Sequence, residues 1–416
     1  MHTHGDAYLS PNSGFGDHTP SNAIGALFRE HGEHYIEAYK PDKLQIKLLR
    51  AIRVCRTPTL GGTLIRCIKC DHQRFQYLSC GHSQCPICQG IKRVQWEDRL
   101  SGRMLKVPYC HVTFTLPHEI NGMARRNPHA VYNLLMRSAW KTIKKLISDK
   151  DEAGGLPGMS CVLHTWGSDL KYHVHVHCLV TFGGLATQGK KEWVWPKRRN
   201  KLASYRRMSG NFRACFLRDL EAVMNHKAFV YHRSFEDVRN EMMRKRWVVH
   251  NTQLVTDSRI LEEYLSRYIC RIGISNSRIQ YDKIQHTVRI QYNNYRNQMP
   301  GQAAPKAILE LDPLLAIHRL MQHVLPLYFQ RSQHYGLHAG STYRKYRPLI
   351  PSLVKQNGHS IRTLFQILRL LLGIAPDECP ICQGTNFEYS KVSADTTYIR
   401  KHILHNRSPT QTAARA

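Results

Sequence analysis

Two Cys-x-x-Cys pairs close together in the chain constrain the fold more than any other feature of the sequence. Cys67 and Cys70 form the first pair, and Cys85 and Cys88 form the second. A pair of this spacing can supply two thiolates to one side of a tetrahedral Zn²⁺ ion. Because the segment between the pairs is short and polar, it needs a bound metal ion to fold. We therefore expect one zinc ion bound by these four cysteines.

Two residues between the pairs leave the ligand set partly open. Cys80 and His82 could replace one of the four ligands or contact one of them. Four protein ligands leave no position for water, so the expected role of this ion is to fold the module rather than to catalyse.

A third Cys-x-x-Cys pair lies near the end of the chain. Cys379 and Cys382 could bind a second zinc ion, or they could form an exposed turn with two thiols. His402 and His405 lie downstream at a spacing that could complete such a site.

The net charge indicates the kind of partner. The chain has 416 residues, with 60 Lys and Arg against 30 Asp and Glu, and a formal net charge of +30. Such a positive electrostatic field favours nucleic acid as the partner, because each cation set against a phosphate releases condensed counterions.

The most apolar segment, residues 364–374, is about half a bilayer span, and the N-terminus lacks the apolar stretch of a signal peptide. We therefore expect no membrane partner and a cytoplasmic location, where thirteen cysteines favour metal binding over disulfides.

Hydrophobic patterns divide the chain into four parts and indicate a mixture of helices and strands. Residues 1–22 predict a disordered tail, 23–95 a helical segment with the zinc module, 96–300 an α/β or α+β domain, and 301–416 a helical region with a basic tail. Strand patterns lie at residues 110–117, 160–167, 172–182, 247–255 and 286–292. Helical patterns lie at residues 130–147, 211–224, 258–271, 311–335 and 360–374.

Three histidines alternate with two valines in one of these strand patterns. Because side chains alternate along a strand, His173, His175 and His177 project to one side. Three histidines on one face are rarely core filler, so we interpret them as a site for a divalent ion. Two would suffice if another strand supplied a ligand. His164, on the preceding strand, is the candidate, and its alternative role is that of a hydrogen-bonded core histidine.

Two tyrosines lie one helical turn apart in the pattern at residues 258–271. Such a pair is usually packing, but Arg267 follows Tyr264 by three residues and Arg271 follows Tyr268 by three. Nearby cations favour the phenolate, which is a nucleophile. A phenolate beside a histidine-bound metal ion can attack a phosphodiester and form a 5′ phosphotyrosine that a free 3′ hydroxyl reverses. The pattern therefore predicts DNA strand transfer without ATP.

With these residues assembled, the chain resembles the rolling-circle transposases of the insertion sequence 91 family, which belong to the nucleases named for a His-hydrophobic-His motif. The resemblance covers nearly the whole chain after the tail and is carried by CRTPTLGG, SCGHSQCPICQG, HVTFTLPHEI, LHTWG, HVHVHCLVTFGG and YLSRYICRIGISNSRI. By this resemblance His175 and His177 are the metal-binding pair, and Tyr264 and Tyr268 match the tyrosines of the two-tyrosine members. In the zinc region, His82 stands at a usual Asn.

The resemblance implies an α+β nuclease domain with a central antiparallel sheet flanked by helices, beside a zinc-binding domain. It implies Mg²⁺ or Mn²⁺ at the histidines, single-stranded DNA at element ends as the substrate, replication by the host machinery, and a bacterial cytoplasm near the nucleoid. The side chains expected to hold DNA by charge and stacking are Arg267, Arg271, Arg278, Trp193 and Trp195. The alternatives are a plasmid or phage replication initiator or relaxase, and a non-enzymatic zinc protein that binds DNA.

Overall fold

Antiparallel sheets flanked by helices make up the described part of the chain, and they confirm the predicted α+β class. The computed structural model describes residues 22–148, 154–186, 188–189, 192–197, 201–251, 254–255, 273–299, 302–346, 348, 363–372 and 375–393. Apart from residue 22, the tail predicted at residues 1–22 lies outside these ranges. No helix within them is long and apolar enough to cross a membrane.

Helices and strands alternate along the described residues. The helices are α1 (Ala23–Tyr39), α2 (Lys43–Val54), α3 (Gly90–Ser101), α4 (Asn121–Arg126), α5 (Pro128–Ser148), α6 (Tyr205–Met224), α7 (Phe235–Arg244), α8 (Pro313–Met321), α9 (Gly340–Tyr346) and α10 (Leu364–Leu372). The strands are β1 (Gly62–Cys67), β2 (Gln73–Tyr77), β3 (Tyr109–Thr115), β4 (Gly155–Leu156), β5 (Gly158–Trp166), β6 (Tyr172–Thr181), β7 (Gly184–Ala186), β8 (Trp193–Val194), β9 (Val248–Asn251), β10 (Ile279–Asp282), β11 (Thr287–Asn293), β12 (Lys306–Leu311), β13 (Ser332–Gly336) and β14 (Phe387–Val392).

The central sheet has the strand order β13-β5-β6-β3-β9, and each neighbouring pair is antiparallel. Its middle is the hairpin of β5 and β6, whose register sets His164 opposite His175. On the other side of β6, Thr113 of β3 lies opposite His177. Because paired residues project to the same face, the register gathers polar side chains from three strands on one face of the sheet.

The opposite face of the central sheet packs against helices. Val174 and Val176 of β6 are fully buried in the main hydrophobic core, which the apolar sides of α5, α6 and α7 complete. Phe114 of β3 packs against Phe212 of α6, with ring centroids 4.9 Å apart. Burial of these apolar side chains determines which face of β6 the histidines occupy, since one residue of slippage would exchange the two faces.

The histidine-bearing face is also covered over part of its area. Tyr109, Val162 and Leu179 pack there against Trp96 and Leu100 of α3. The sheet is therefore buried on both sides, and its histidines lie beside a second, smaller apolar cluster.

The N-terminal helical segment consists of two helices separated by Pro41. Helix α1 ends at Tyr39, and its C-cap residue Lys40 has a left-handed φ of 44°. Helix α2 begins with a capping box, in which the Asp42 carboxylate accepts from the backbone N–H of Gln45 and the Gln45 side chain accepts from the backbone N–H of Asp42. Both helices bury their apolar sides against α8 and the sheet of β10, β11 and β12.

The region after residue 301 is less helical than predicted. The pattern at residues 311–335 is not one helix, because α8 ends at Met321 and Pro326 stands in the connection to β13. Strand β13 forms an edge of the central sheet through its pairing with β5, and β14 pairs with β1 of the cysteine-rich module. These C-terminal strands complete earlier parts of the fold. The helix predicted at residues 258–271 lies outside the described residues.

A matched pair of substitutions tests this account of the core. Ile143 is fully buried in α5 under the central sheet, whereas Ile284 is 93% exposed. Ile143→Ala is expected to lower the free energy of unfolding by about 2–5 kcal/mol, because it leaves a cavity. Ile284→Ala should change it by less than about 0.5 kcal/mol. Urea titration of both variants followed by circular dichroism measures the difference, and equal midpoints would contradict the packing described here.

Candidate functional site

Three buried histidines converge on the polar face of the central sheet. His164 lies on β5, and His175 and His177 lie on β6. One ring nitrogen of each lies within 4.8 Å of one ring nitrogen of the other two. The Nε2 atoms of His175 and His177 are 3.1 Å apart. Two ligands at adjacent corners of an octahedron would be about 3.0 Å apart for bonds of about 2.1 Å, so this spacing suits a shared metal ion.

The remaining ring nitrogens are oriented by neighbouring groups. The Nδ1–H of His175 donates to the backbone carbonyl oxygen of His173 at 2.9 Å, which leaves Nε2 with its lone pair. Nδ1 of His177 lies 2.9 Å from Nε2 of His111 and 3.2 Å from Oγ1 of Thr113. Contacts of this kind fix the tautomer and orientation of metal-binding imidazoles. His111 was not among the residues predicted from the sequence, although it lies two residues before Thr113 on the same predicted strand.

Burial keeps these imidazoles uncharged. It lowers the pKa of His175 to about 3 and that of His111 to about 4, and it holds the pKa values of His164 and His177 well below the ordinary value. Neighbouring histidines add to the effect on His177, because a second positive charge would be unfavourable there. At neutral pH the cluster therefore presents lone pairs, which is the form that binds a cation.

Of the four histidines that the sequence suggested as ligands, the structure brings together three. His164, the candidate from the preceding strand, belongs to the cluster, because its register places it opposite His175. His173 does not belong to it. Its ring lies beside that of His118, with centroids 5.5 Å apart, and it contributes its backbone carbonyl instead. The strand period alone could not distinguish these positions, because it says nothing about what lies opposite each one.

The Trp166 ring and the backbone of Gly273 lie at the His164 side of the histidine cluster. The Trp166 ring stacks on His164 with centroids 4.7 Å apart and an interplanar angle of 15°. Arg331 lies over the Trp166 ring, with its Cζ 5.3 Å from the ring centroid. Gly273 approaches the same ring so closely that an added Cβ would lie 2.9 Å from Cγ of Trp166.

The predicted nucleophiles Tyr264 and Tyr268, with Arg267 and Arg271, lie outside the described residues. Both ends of the segment that contains them are described. Val255 forms an antiparallel bridge with Tyr109 at the start of β3. At the other end, Gly273 packs against Trp166 and Leu170. The chain therefore leaves the central sheet beside one strand of the polar face and returns next to the aromatic neighbour of His164.

The cysteines form two separate clusters, so the expectation of one ion held by Cys67, Cys70, Cys85 and Cys88 is wrong. Each cluster has four thiols within 4.8 Å of one another. The first contains Cys55, Cys80, Cys85 and Cys88, and the second contains Cys67, Cys70, Cys379 and Cys382. Pair spacing cannot show which pairs meet, because the second cluster depends on the pairing of β1 with β14, far away in sequence.

The first cluster lies wholly within the N-terminal module. Cys55 follows the last residue of α2, and it reaches the loop that carries Cys80, Cys85 and Cys88. Cys80, one of the two auxiliary residues suggested by the sequence, is a member. His82 is not, and its backbone carbonyl accepts from Cys85 N–H at 3.1 Å. Four thiols around one point are the donor set of a structural zinc site. Cys55 was missed because it has no Cys-x-x-Cys partner.

The residues predicted to hold DNA differ in their availability. Arg278 donates to the backbone carbonyl oxygens of Gln291 at 2.8 Å and Ser168 at 2.9 Å, so it joins strand β11 to the turn between β5 and β6. Trp193 is half-buried and donates to the carbonyl of Phe182 at 3.3 Å. Trp195 is 53% exposed, which leaves its ring accessible for stacking.

Comparison with known proteins agrees with this arrangement. A family profile described as "Putative transposase" matches residues 158–345, and a profile described as "Transposase zinc-binding domain" matches residues 27–116. The "Putative transposase y4qJ" of Sinorhizobium fredii (strain NBRC 101917 / NGR234) is 32% identical over 335 residues, which cover 77% of this chain and 81% of that protein. The "Transposase for insertion sequence element IS801" of Pseudomonas savastanoi pv. phaseolicola is 25% identical over 374 residues, or 88% of each chain. No solved structure matches the chain significantly.

The two profiles coincide with the two kinds of site. The first contains the β5–β6 hairpin with its histidines, and the second contains all four cysteines of the first cluster. The zinc-binding profile and the thiol geometry together identify structural Zn²⁺ in the N-terminal module. The chain thus belongs to the insertion sequence 91 family, and it is a DNA transposase with a zinc-binding domain.

Proposed function

We propose that this transposase cuts and rejoins single-stranded DNA at the ends of a rolling-circle element, through a 5′ phosphotyrosine intermediate. The observation that carries the proposal is the convergence of His164, His175 and His177 on one point of the central sheet. Neutral imidazoles held in this geometry are suited to a divalent ion, and a nucleic-acid enzyme has use for one at the scissile phosphate.

The proposed ion is Mg²⁺ or Mn²⁺, bound through Nε2 of His175, Nε2 of His177 and one nitrogen of His164. When bound, it supplies polarisation of the phosphoryl oxygen and stabilisation of the leaving 3′ oxygen. Three nitrogen donors suit Mn²⁺ better than Mg²⁺, which prefers oxygen ligands and keeps its waters. Backbone and side-chain contacts from His173, His111 and Thr113 orient the ligands before any ion arrives.

Tyr264 and Tyr268 are the proposed nucleophiles. The two described ends of their segment support this role, because one pairs with Tyr109 of β3 in the central sheet and the other packs against Trp166, which stacks on His164. In the first step the phenol loses its proton and its oxygen bonds to phosphorus, while the bond from phosphorus to the 3′ oxygen breaks and that oxygen takes up a proton to become a 3′ hydroxyl. In the second, a free 3′ hydroxyl attacks the phosphotyrosine, the bond to the tyrosine oxygen breaks, and the phenol regains a proton.

The proposed substrate is single-stranded DNA, with the host replication machinery copying the transferred strand. The net charge of +30 supports affinity for the backbone, and the exposed ring of Trp195 supports base stacking. A two-tyrosine enzyme can retain one DNA end on one phenol while the other attacks a second end. That arrangement would allow two successive cleavages without release of the DNA.

The tyrosine assignment predicts a separation of cleavage from binding. The Tyr264→Phe, Tyr268→Phe double variant should form no covalent adduct with labelled oligonucleotides from the element ends, because it lacks the nucleophilic oxygens. Its affinity for the same oligonucleotides, measured by fluorescence anisotropy, should match that of the unchanged protein. Tyr328→Phe, at a tyrosine that is 86% exposed, is the control and should retain the adduct. Adduct formation by the double variant would show that another residue attacks.

The histidine assignment predicts that catalytic metal and structural zinc are independent. His175→Ala with His177→Ala should abolish cleavage in Mg²⁺ or Mn²⁺ and leave the zinc content unchanged in elemental analysis. His173→Ala is a matched control on the same strand face. It keeps the backbone carbonyl that orients His175, so cleavage should persist. A parallel loss of zinc in the double variant would contradict the separation of the sites.

The contact between His111 and His177 predicts an indirect effect on metal binding. His111→Phe preserves the ring, which stacks on His177 at a centroid distance of 5.0 Å, but removes the nitrogen acceptor. Mn²⁺ affinity should fall about 10–100-fold, the usual effect of losing such a partner. Electron paramagnetic resonance of free Mn²⁺ measures the dissociation constant. The exposed His129 provides the control substitution, His129→Phe, and an unchanged affinity for His111→Phe would exclude the proposed role of His111.

A further inference from the structure

The turn at Cys67 and the turn at Cys379 have the same backbone hydrogen bonds. In the first, the N–H of Cys67 donates to the carbonyl of His72 at 2.8 Å, and the N–H of Asp71 donates to the carbonyl of Cys67 at 2.9 Å. In the second, the N–H of Cys379 donates to the carbonyl of Gly384 at 2.8 Å, and the N–H of Gln383 donates to the carbonyl of Cys379 at 2.8 Å. The offsets along the chain are identical, so the two turns are copies of one local structure.

The residue after each pair also adopts the same unusual conformation. Asp71 has a φ of 58° and Gln383 a φ of 57°, both in the left-handed region that most residues avoid. This conformation reverses the chain immediately after the second cysteine. Both thiols of each turn are thereby directed to one side, as in the turns that bind one half of a zinc site.

The two turns face each other. Sγ of Cys67 lies 3.6 Å from Sγ of Cys382, and Sγ of Cys70 lies 3.5 Å from Sγ of Cys379. In a tetrahedral Zn²⁺ site with bonds of about 2.3 Å, neighbouring sulfurs are about 3.8 Å apart. A disulfide would require about 2.05 Å. The spacing therefore fits four ligands around one ion and does not fit two disulfides.

Strand pairing holds the turns in this position. Strands β1 and β14 are antiparallel, with Cys67 opposite Phe387, and the N–H of Ile68 donates to the carbonyl of Asn386 at 3.0 Å. From β2, Nη2 of Arg74 donates to the carbonyl of Pro376 at 2.9 Å. The contact between the turns thus belongs to a continuous sheet, although Cys70 and Cys379 are 309 residues apart in sequence.

We propose that Cys67, Cys70, Cys379 and Cys382 bind a second structural zinc ion, which fastens the C-terminal strand β14 to the N-terminal module. Two of its ligands lie beyond residues 27–116, so the site is not contained in the matched zinc-binding domain. The ion closes a loop that includes the whole histidine-bearing sheet. Neither His402 nor His405 is needed, because four thiols already fill the tetrahedron.

Zinc content and thiol reactivity of the unchanged full-length protein test the proposal directly. The expected content is two zinc ions per chain by elemental analysis. Cys70 is exposed and would react rapidly with N-ethylmaleimide if it were a free thiol. We expect it to be protected, and to become reactive together with Cys67, Cys379 and Cys382 when a chelator removes one ion. Peptide mass spectrometry identifies the alkylated residues. One zinc ion per chain, or rapid alkylation of Cys70 in the zinc-loaded protein, would overturn the proposal.

A double substitution distinguishes this site from the first cluster. Cys379→Ser with Cys382→Ser should reduce the zinc content from two ions to one and expose Cys67 and Cys70 to alkylation, while the first cluster stays protected. Cys215→Ser, at a buried thiol in neither cluster, is the matched control and should keep both ions. Retention of two ions by the double variant, or exposure of Cys85 and Cys88 with Cys67 and Cys70 still protected, would refute the assignment. Cys382→His alone, with Cys379 unchanged, supplies a nitrogen ligand in place of the thiolate, and its zinc content should be two ions per chain.

Discussion

The alternation of side chains along β6 is the constraint on which the rest of the structure depends. Val174 and Val176 are buried under the helices, and this burial turns His175 and His177 to the opposite face. A slip of one residue would expose the valines to the polar site and bury the imidazoles in an apolar core, where their polar atoms would lack partners. The hydrophobic core thus determines the position of the candidate metal centre, and the strands on either side, β5 and β3, supply His164 and His111 at matching registers.

Burial of several imidazoles on one face of the sheet favours their neutral form. The Nε2 atoms of His175 and His177 lie 3.1 Å apart, and burial opposes protonation by lowering the pKa of His175 to about 3. A metal cation would bind these nitrogens in their neutral form, without a proton on either ring. The carbonyl of His173 prevents the ring of His175 from adopting the other tautomer. The polar face therefore offers neutral nitrogen donors at the place where we propose a metal ion.

How much of this could be predicted from sequence depends on whether a feature is local. The strand period placed His175 and His177 on one face, and the adjacent strand suggested His164, because both inferences need only short segments. The position of His173 outside the group of His164, His175 and His177 was not predictable, because it depends on what packs beside that residue. Spacing identified the Cys-x-x-Cys turns correctly, but not their partners. Cys67 and Cys70 meet Cys379 and Cys382 through strand pairing across 309 residues, and Cys55 carries no local motif.

The C-terminal part of the chain joins the two functional regions through strands that no pattern predicted. Strand β13 pairs with β5, at the edge of the sheet that carries His164, and β14 pairs with β1 in the cysteine-rich module. Both strands have mostly half-buried or exposed residues without clear alternation, so their position comes from the edges that accept them. Because one continuous segment reaches both edges, displacement of β14 would remove half of the second thiol cluster and one of the links between the module and the central sheet.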